Sequence, residues 1–184
     1  MHPTPLRHFV KDILSGFGGR NQKKLRKLMD IILKETVIHF TKPTYELGVL
    51  SYILSKILSK PRFMKNENSA ILKEIEYGLR DLSRNIDNFP EQQVLKMCEH
   101  LSNTILELEE RDSRYLNSIV LKARLKSAAT LYAQGVSLGV ASDVTGIDKQ
   151  DIQNYAGKTR MFDRVVGGMP ITERMKLARK MIGS

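Results

Sequence analysis

A chain of 184 residues with 30 Lys plus Arg against 20 Asp plus Glu carries a formal net charge of +10. That length fits one domain or two small ones, and 41% apolar residues supply a packed core and exclude wholesale disorder. A single Cys98 excludes a disulfide framework within the chain and any zinc site needing several cysteines, and the longest uncharged apolar stretch, Leu47 to Ser55, is far too short to cross a bilayer.

Helical periodicity dominates from the first residues onward, so an all-α fold is expected, a helical bundle followed by a C-terminal pair of short helices. Leu6, Phe9, Val10, Ile13 and Leu14 follow i, i+3, i+4 spacing and predict a first helix ending at Gly16, with Ser15 to Gly19 as a loop. A second helix is predicted over about 21–40, with Leu25, Leu28, Ile32 and Thr36 inward and Lys23, Lys24, Arg26 and Lys27 outward. Pro43 stops it, and Thr44 is the expected cap of a third helix reaching about Lys60, striped by Leu47, Leu50, Leu54, Ile57 and Leu58.

Pro61 ends that element, and Asn68 or Ser69 is the expected cap of a fourth helix over about 70–85 that buries Ile71, Leu72, Ile75, Leu79 and Leu82. Pro90 opens the next helix as its first residue. From Pro90 to Gln134 there is neither Gly nor Pro, and one helix of that length is improbable in a globular protein. The polar run Glu109 to Arg114 predicts a break, giving helices over about 90–110 and 113–134, the second capped by Asp112 or Ser113. The glutamates Glu107, Glu109 and Glu110 are read as solvated residues of that break. Two domains are therefore drawn, 1–111 as a helical bundle and 112–184 as the C-terminal helical region.

Beyond Gly135 the predicted elements shorten. Ser137 caps a helix over about 138–145, Gly146 turns the chain, and Asp148 caps a second helix over about 149–156 closed by Gly157. Gly167-Gly168-Met169-Pro170 is a further loop, and Thr172 caps a last helix to about Ile182. Leu138, Ala141 and Val144 face inward, small Ala141 and Ser142 admit the second helix, Ile147 fills the space between, and Ile152 and Tyr155 anchor it. Lys149, Gln150, Gln153 and Asn154 are left facing outward, and Lys, Gln and Asn side chains can read base edges in a major groove.

The stretch Ser137 to Tyr155, SLGVASDVTGIDKQDIQNY, resembles the helix-turn-helix of small DNA-binding regulators. The wider segment Ala123 to Lys158 is similar to the helical DNA-binding or antitoxin modules of archaeal and bacterial toxin–antitoxin loci. The resemblance implies duplex DNA as partner, Lys149, Gln150, Gln153 and Asn154 as base-facing residues, and a homodimer reading two half-sites. Lys158, Arg160 and Arg164 just beyond the second helix are the expected phosphate contacts, joined by Arg20, Lys23, Lys24 and Lys27 of the first half. Asp143, Asp148 and Asp151 depart from the pattern, because acids near phosphates are unfavourable.

Charge adds to this reading without deciding it. Residues 1–65 hold 13 basic and 4 acidic side chains, residues 66–111 hold 5 and 10, and residues 112–184 hold 12 and 6. An acidic middle between basic ends also suits a helical adaptor or antitoxin-like protein that binds a protein partner through the middle segment. Binding of structured RNA through the basic first half is a third reading, since few aromatics are on hand to stack on unpaired bases. No catalytic triad, paired acids, Gly-rich nucleotide loop or HExxH pattern is present, so neither an enzyme nor a cofactor is expected. Met1-His2-Pro3-Thr4-Pro5 lacks the apolar stretch of a signal peptide, and a cytoplasmic location follows as the expectation.

Overall fold

The computed structural model describes residues 6–110 and 118–164, Arg164 for its backbone only, and every regular element among them is helical. In chain order these are α1 (Leu6–Gly18), α2 (Gln22–Ile38), α3 (Lys42–Leu58), two 3-10 turns (Pro61–Met64 and Asn66–Asn68), α4 (Ser69–Asn85), α5 (Glu91–Glu110), α6 (Ile119–Ala133), α7 (Leu138–Thr145), α8 (Lys149–Lys158) and α9 (Met161–Arg164). The chain divides within α6 into two compact units, Met1–Ala123 and Arg124–Ser184. The boundary expected at 111/112 lies outside the described residues, as do the loop at 167–170 and the helix expected to follow it.

In the first unit α3 is the central helix. It packs against α1, α2 and α5, and Tyr45, Leu47, Leu50, Ile53, Leu54 and Ile57 are all fully buried. Burial on nearly every side, rather than along one stripe, is what an apolar-all-round helix requires. Its buried serines are satisfied locally or across to α2: Ser51 Oγ donates to the Leu25 carbonyl at 2.8 Å and Ser55 Oγ to the Tyr52 carbonyl at 2.7 Å. Gly48 keeps α2 close, since a Cβ there would lie 3.0 Å from Leu33 Cδ2.

Three helix ends in this unit differ from the sequence expectation for identifiable reasons. Helix α1 does not stop at Gly16 but continues to Gly18, so Ser15 to Gly19 is not an open loop. Gly16 and Phe17 are buried, and a Cβ on Gly16 would meet Leu25 Cδ2 at 2.9 Å, so the glycine serves the contact with α2 rather than a break. Helix α3 is capped by Thr41, not Thr44: Thr41 Oγ1 accepts from the Thr44 N–H at 3.3 Å, and Pro43 sits in the first turn, where its missing N–H costs nothing. Pro90 likewise precedes α5 instead of opening it, with its carbonyl accepting from the Gln93 and Val94 N–H groups.

Polar side chains mark the turns before α4 and α5 and the start of α6. Asn68 is buried and its Nδ2 donates to the Arg62 carbonyl at 3.1 Å, fixing the turn before α4. Arg7 of α1 pairs with Asp87, between α4 and α5. Helix α6 begins at Ile119, later than the expected 113, and the caps expected at 112 and 113 lie outside the described residues. Ser118 Oγ accepts from the Val120 N–H at 3.1 Å. Glu109 is not solvated: it is 5% exposed, and its carboxylate accepts from the Ile119 N–H at 2.5 Å and from Ser118 Oγ at 3.0 Å. Burial pushes its carboxyl above the usual range, and these hydrogen bonds and Lys122 oppose that only in part.

Candidate nucleic-acid interface

The second unit is built around alanines. Ala128, Ala129 and Ala133 of α6 cluster with Ala141 of α7, Ile152 and Ala156 of α8, and Met161 of α9. Side chains this small bring short helices close enough to exclude water with little apolar volume per helix. Tyr132, Val136, Leu138, Ile147, Tyr155 and Phe162 pack around the cluster, with the Tyr132 and Phe162 rings edge to face at 5.1 Å.

The path between α6 and α8 is set by local signals that act over two or three residues. Gly135 takes φ +104°, and the Val136 N–H then donates to the Leu131 carbonyl, closing α6. Ser137 caps α7, its Oγ accepting from the Val140 N–H at 3.3 Å. Gly146 ends α7 in the left-handed region at φ +70°, a conformation that costs a side-chain-bearing residue about 1 kcal/mol or more. Asp148 Oδ1 accepts from the Gln150 N–H at 2.7 Å and starts α8. Three residues, Gly146 to Asp148, therefore separate the two helices.

Of the residues expected to face inward, Ala141 and Ile152 are buried, while Leu138, Ile147 and Tyr155 are partly buried against the alanine cluster. Val144 is half-buried and stands outside that cluster, and Thr145 is buried in its place, with its Oγ1 donating to the Ala141 carbonyl at 2.7 Å. Gly157 does not close α8. The helix runs on to Lys158, and Thr159 caps it, its Oγ1 donating to the Tyr155 carbonyl at 2.6 Å.

Lys149, Gln150, Gln153 and Asn154 are all exposed. At about 100° per residue, Gln150, Asn154 and Gly157 line the middle of the exposed side of α8, with Lys149 and Gln153 on one flank and Asp151 and Lys158 on the other. Gln150 Nε2 donates to Asn154 Oδ1 at 3.1 Å, which holds the two amides together at the surface. Lys158 and Arg160 are exposed, and Arg160 has φ +49°, unusual for a residue with a Cβ. The side chain of Arg164 lies outside the described residues. The exposed acids Asp143, Asp148 and Asp151 belong to the same two helices and their connection. The sequence pattern did not single out Val140, which is 51% exposed on α7, or the open setting of Gly157, where a Cβ would meet nothing.

The first-half cations belong to the other unit and are not equivalent. Lys23 and Lys27 are exposed on α2. Lys24 pairs with Asp12 at 2.9 Å and donates to Ser15 Oγ at 3.3 Å, so its charge is already matched within the bundle. The Arg20 guanidinium lies 5.7 Å from the centre of the Phe17 ring, with Nη1 3.7 Å from Met64 Sδ. Among the described residues no group of three or more His, Cys, Asp or Glu side chains can hold a metal ion, and no helix is long and apolar enough to cross a membrane. No family model, curated protein or solved structure matches this chain.

Proposed function

We propose that the chain binds duplex DNA, with Ser137 to Lys158 acting as a helix-turn-helix and the protein serving as a transcriptional regulator. One observation carries the reading. A capped ten-residue helix is anchored on one side by Ile152 and Ala156 and presents Gln150 and Asn154 on the other, with Gln153 on the flank and Lys149 exposed in the first turn. Such a helix is about 15 Å long and fits a major groove about 12 Å wide. Amides and an ammonium are the groups that discriminate adenine and guanine edges there. Lys158 at its end and Arg160 and Arg164 beyond it are assigned to phosphates. Residues 124–184 hold 10 basic and 5 acidic side chains, which supplies the long-range attraction. A dimer of this protein would set two copies of α8 one DNA turn apart, about 34 Å.

The second reading, a protein-docking use of the same two helices, is favoured by Asp143, Asp148 and Asp151 and by the exposed Val140. Fluorescence anisotropy of labelled duplexes, titrated at several salt concentrations, separates the two. DNA binding predicts an affinity that falls steeply with salt. Lys149→Ala and Gln153→Ala should change sequence preference, and Arg160→Ala should weaken all duplexes alike. Unchanged binding in all three variants would remove α8 from the interface, and structured RNA as the tighter competitor would redirect the assignment.

A further inference from the structure

The largest charge excess lies outside the second unit, and it coincides with the longest run of exposed apolar side chains. Residues 20–42 carry seven basic and two acidic groups. Within that span Ile31 is 56% exposed, Val37 37%, Ile38 68% and Phe40 49%. Ile31 and Ile38 stand seven residues apart on α2, two helical turns or about 10 Å. Lys27 and Lys34, both exposed, repeat the same interval four residues earlier and form a row beside the isoleucines. Lys23 extends that row by one turn. The opposite side of α2, through Leu25, Met29, Ile32 and Leu33, is buried in the bundle.

We propose that this outer side of α2 is a docking surface for an acidic amphipathic helix of another protein, with aliphatic residues repeated every seven positions and glutamates beside them. The shared seven-residue interval of cations and aliphatics is the spacing by which two helices pack side by side, and lysines flanking the apolar row select acidic residues on the partner. Phosphate backbone matches the lysines but gives the isoleucines no apolar partner. A bilayer needs no seven-residue register, and a uniformly anionic one repels Asp30, which is exposed on the same side as Lys27 and Lys34. A second copy is disfavoured as well. Lysine rows repel each other, and outside residues 31–40 the exposed large apolar side chains among the described residues, Tyr77, Leu121 and Val140, stand singly on three different helices. This surface is independent of the DNA assignment, which rests on the other unit.

The test is anisotropy of a labelled synthetic helix carrying heptad-spaced leucines flanked by glutamates, titrated with the full chain. A control helix has lysines in place of the glutamates. The proposal expects saturable binding of the acidic helix alone. Ile31→Ser with Ile38→Ser should weaken it at least tenfold. Lys27→Glu with Lys34→Glu should weaken it as much while creating affinity for the lysine helix, and both pairs should leave the far-ultraviolet circular dichroism unchanged because all four residues are exposed. No binding of the acidic helix, or equal binding by the charge-reversed protein, overturns the proposal. So does loss, in the isoleucine variant, of affinity for phosphatidylserine vesicles or duplex DNA that also displace the acidic helix, or of self-association seen by sedimentation.

Discussion

Glu109 offers the sharpest stability test because it joins two helices through a buried carboxylate. Its oxygens accept from the Ile119 N–H and from Ser118 Oγ, so it satisfies the start of α6 from a side chain on α5. Glu109→Ala removes a charged acceptor from one buried backbone donor and one hydroxyl. A helix cap is worth about 1 kcal/mol and a hydrogen bond to a charged group about 1.5–3 kcal/mol, so the loss should be roughly 1–3 kcal/mol. Glu109→Gln keeps an oxygen for the Ile119 N–H and sheds the buried charge, and should lie within about 1 kcal/mol of the parent. The two are also separated by pH. Burial raises the folded-state pKa of Glu109 above its ordinary 4.5. A raised carboxyl pKa means that the folded state holds its proton more tightly than the unfolded chain. The stability it contributes is therefore fully present below the unfolded value and lost as pH rises through the folded one. Urea denaturation followed by far-ultraviolet circular dichroism should show the parent losing ground to Glu109→Gln over that interval. A parent that instead gains on the glutamine variant as pH rises would refute the argument that desolvation outweighs the hydrogen bonds.

Two glycines of similar helical setting should respond with opposite sign. A Cβ at Gly78 of α4 would lie 2.8 Å from Leu101 Cδ2 of α5, and overpacking of about 1–3 kcal/mol exceeds the helix-propensity gain of about 1 kcal/mol, so Gly78→Ala should lower the urea midpoint. At Gly157 nothing lies within reach, and Gly157→Ala should raise stability by roughly 0.5–1 kcal/mol. Ser137→Ala removes the acceptor of the Val140 N–H and should cost about 1 kcal/mol in thermal or urea unfolding, with no change in the charge of the surface. Asp148→Asn preserves an acceptor for the Gln150 N–H while removing a negative charge, so it should leave the unfolding midpoint nearly unchanged and tighten duplex DNA binding in the anisotropy titration.

Elements whose ends are decided by side chains two or three residues away were readable from the sequence. Ser137, Gly146 and Asp148 fix the start of α7, its end and the start of α8, and all three act locally. The all-α class follows from periodicity in the same way. Gly16 was misleading because the same residue type that breaks helices also lets two helices approach, and only the position of Leu25 decides between them. Thr41 and Thr44 flank Pro43 and both suit a cap, and their choice turned on the tolerance of proline in a first turn. Glu109 sits in a run of charged residues that reads as solvent-facing, and its burial comes with Ser118 and Ile119, nine and ten residues further along the chain. At the candidate interface, the outward direction of Lys149, Gln150, Gln153 and Asn154 follows from the i, i+3 spacing of Ile152 and Tyr155, both of which meet the alanine cluster. The pairing of Lys24 with Asp12 depends on α1 and α2 packing together and leaves no local mark.

The measurement closest to the central claim is DNA cleavage by an iron chelate attached at Gln153→Cys, since the one native cysteine, Cys98, is buried and does not compete for the label. Tested on a duplex selected from a random pool by the parent protein, the account predicts cuts confined to a few base pairs that face one major groove, and none from the parent protein treated with the same chelate. Diffuse or absent cutting from position 153 would contradict the placement of α8 against DNA.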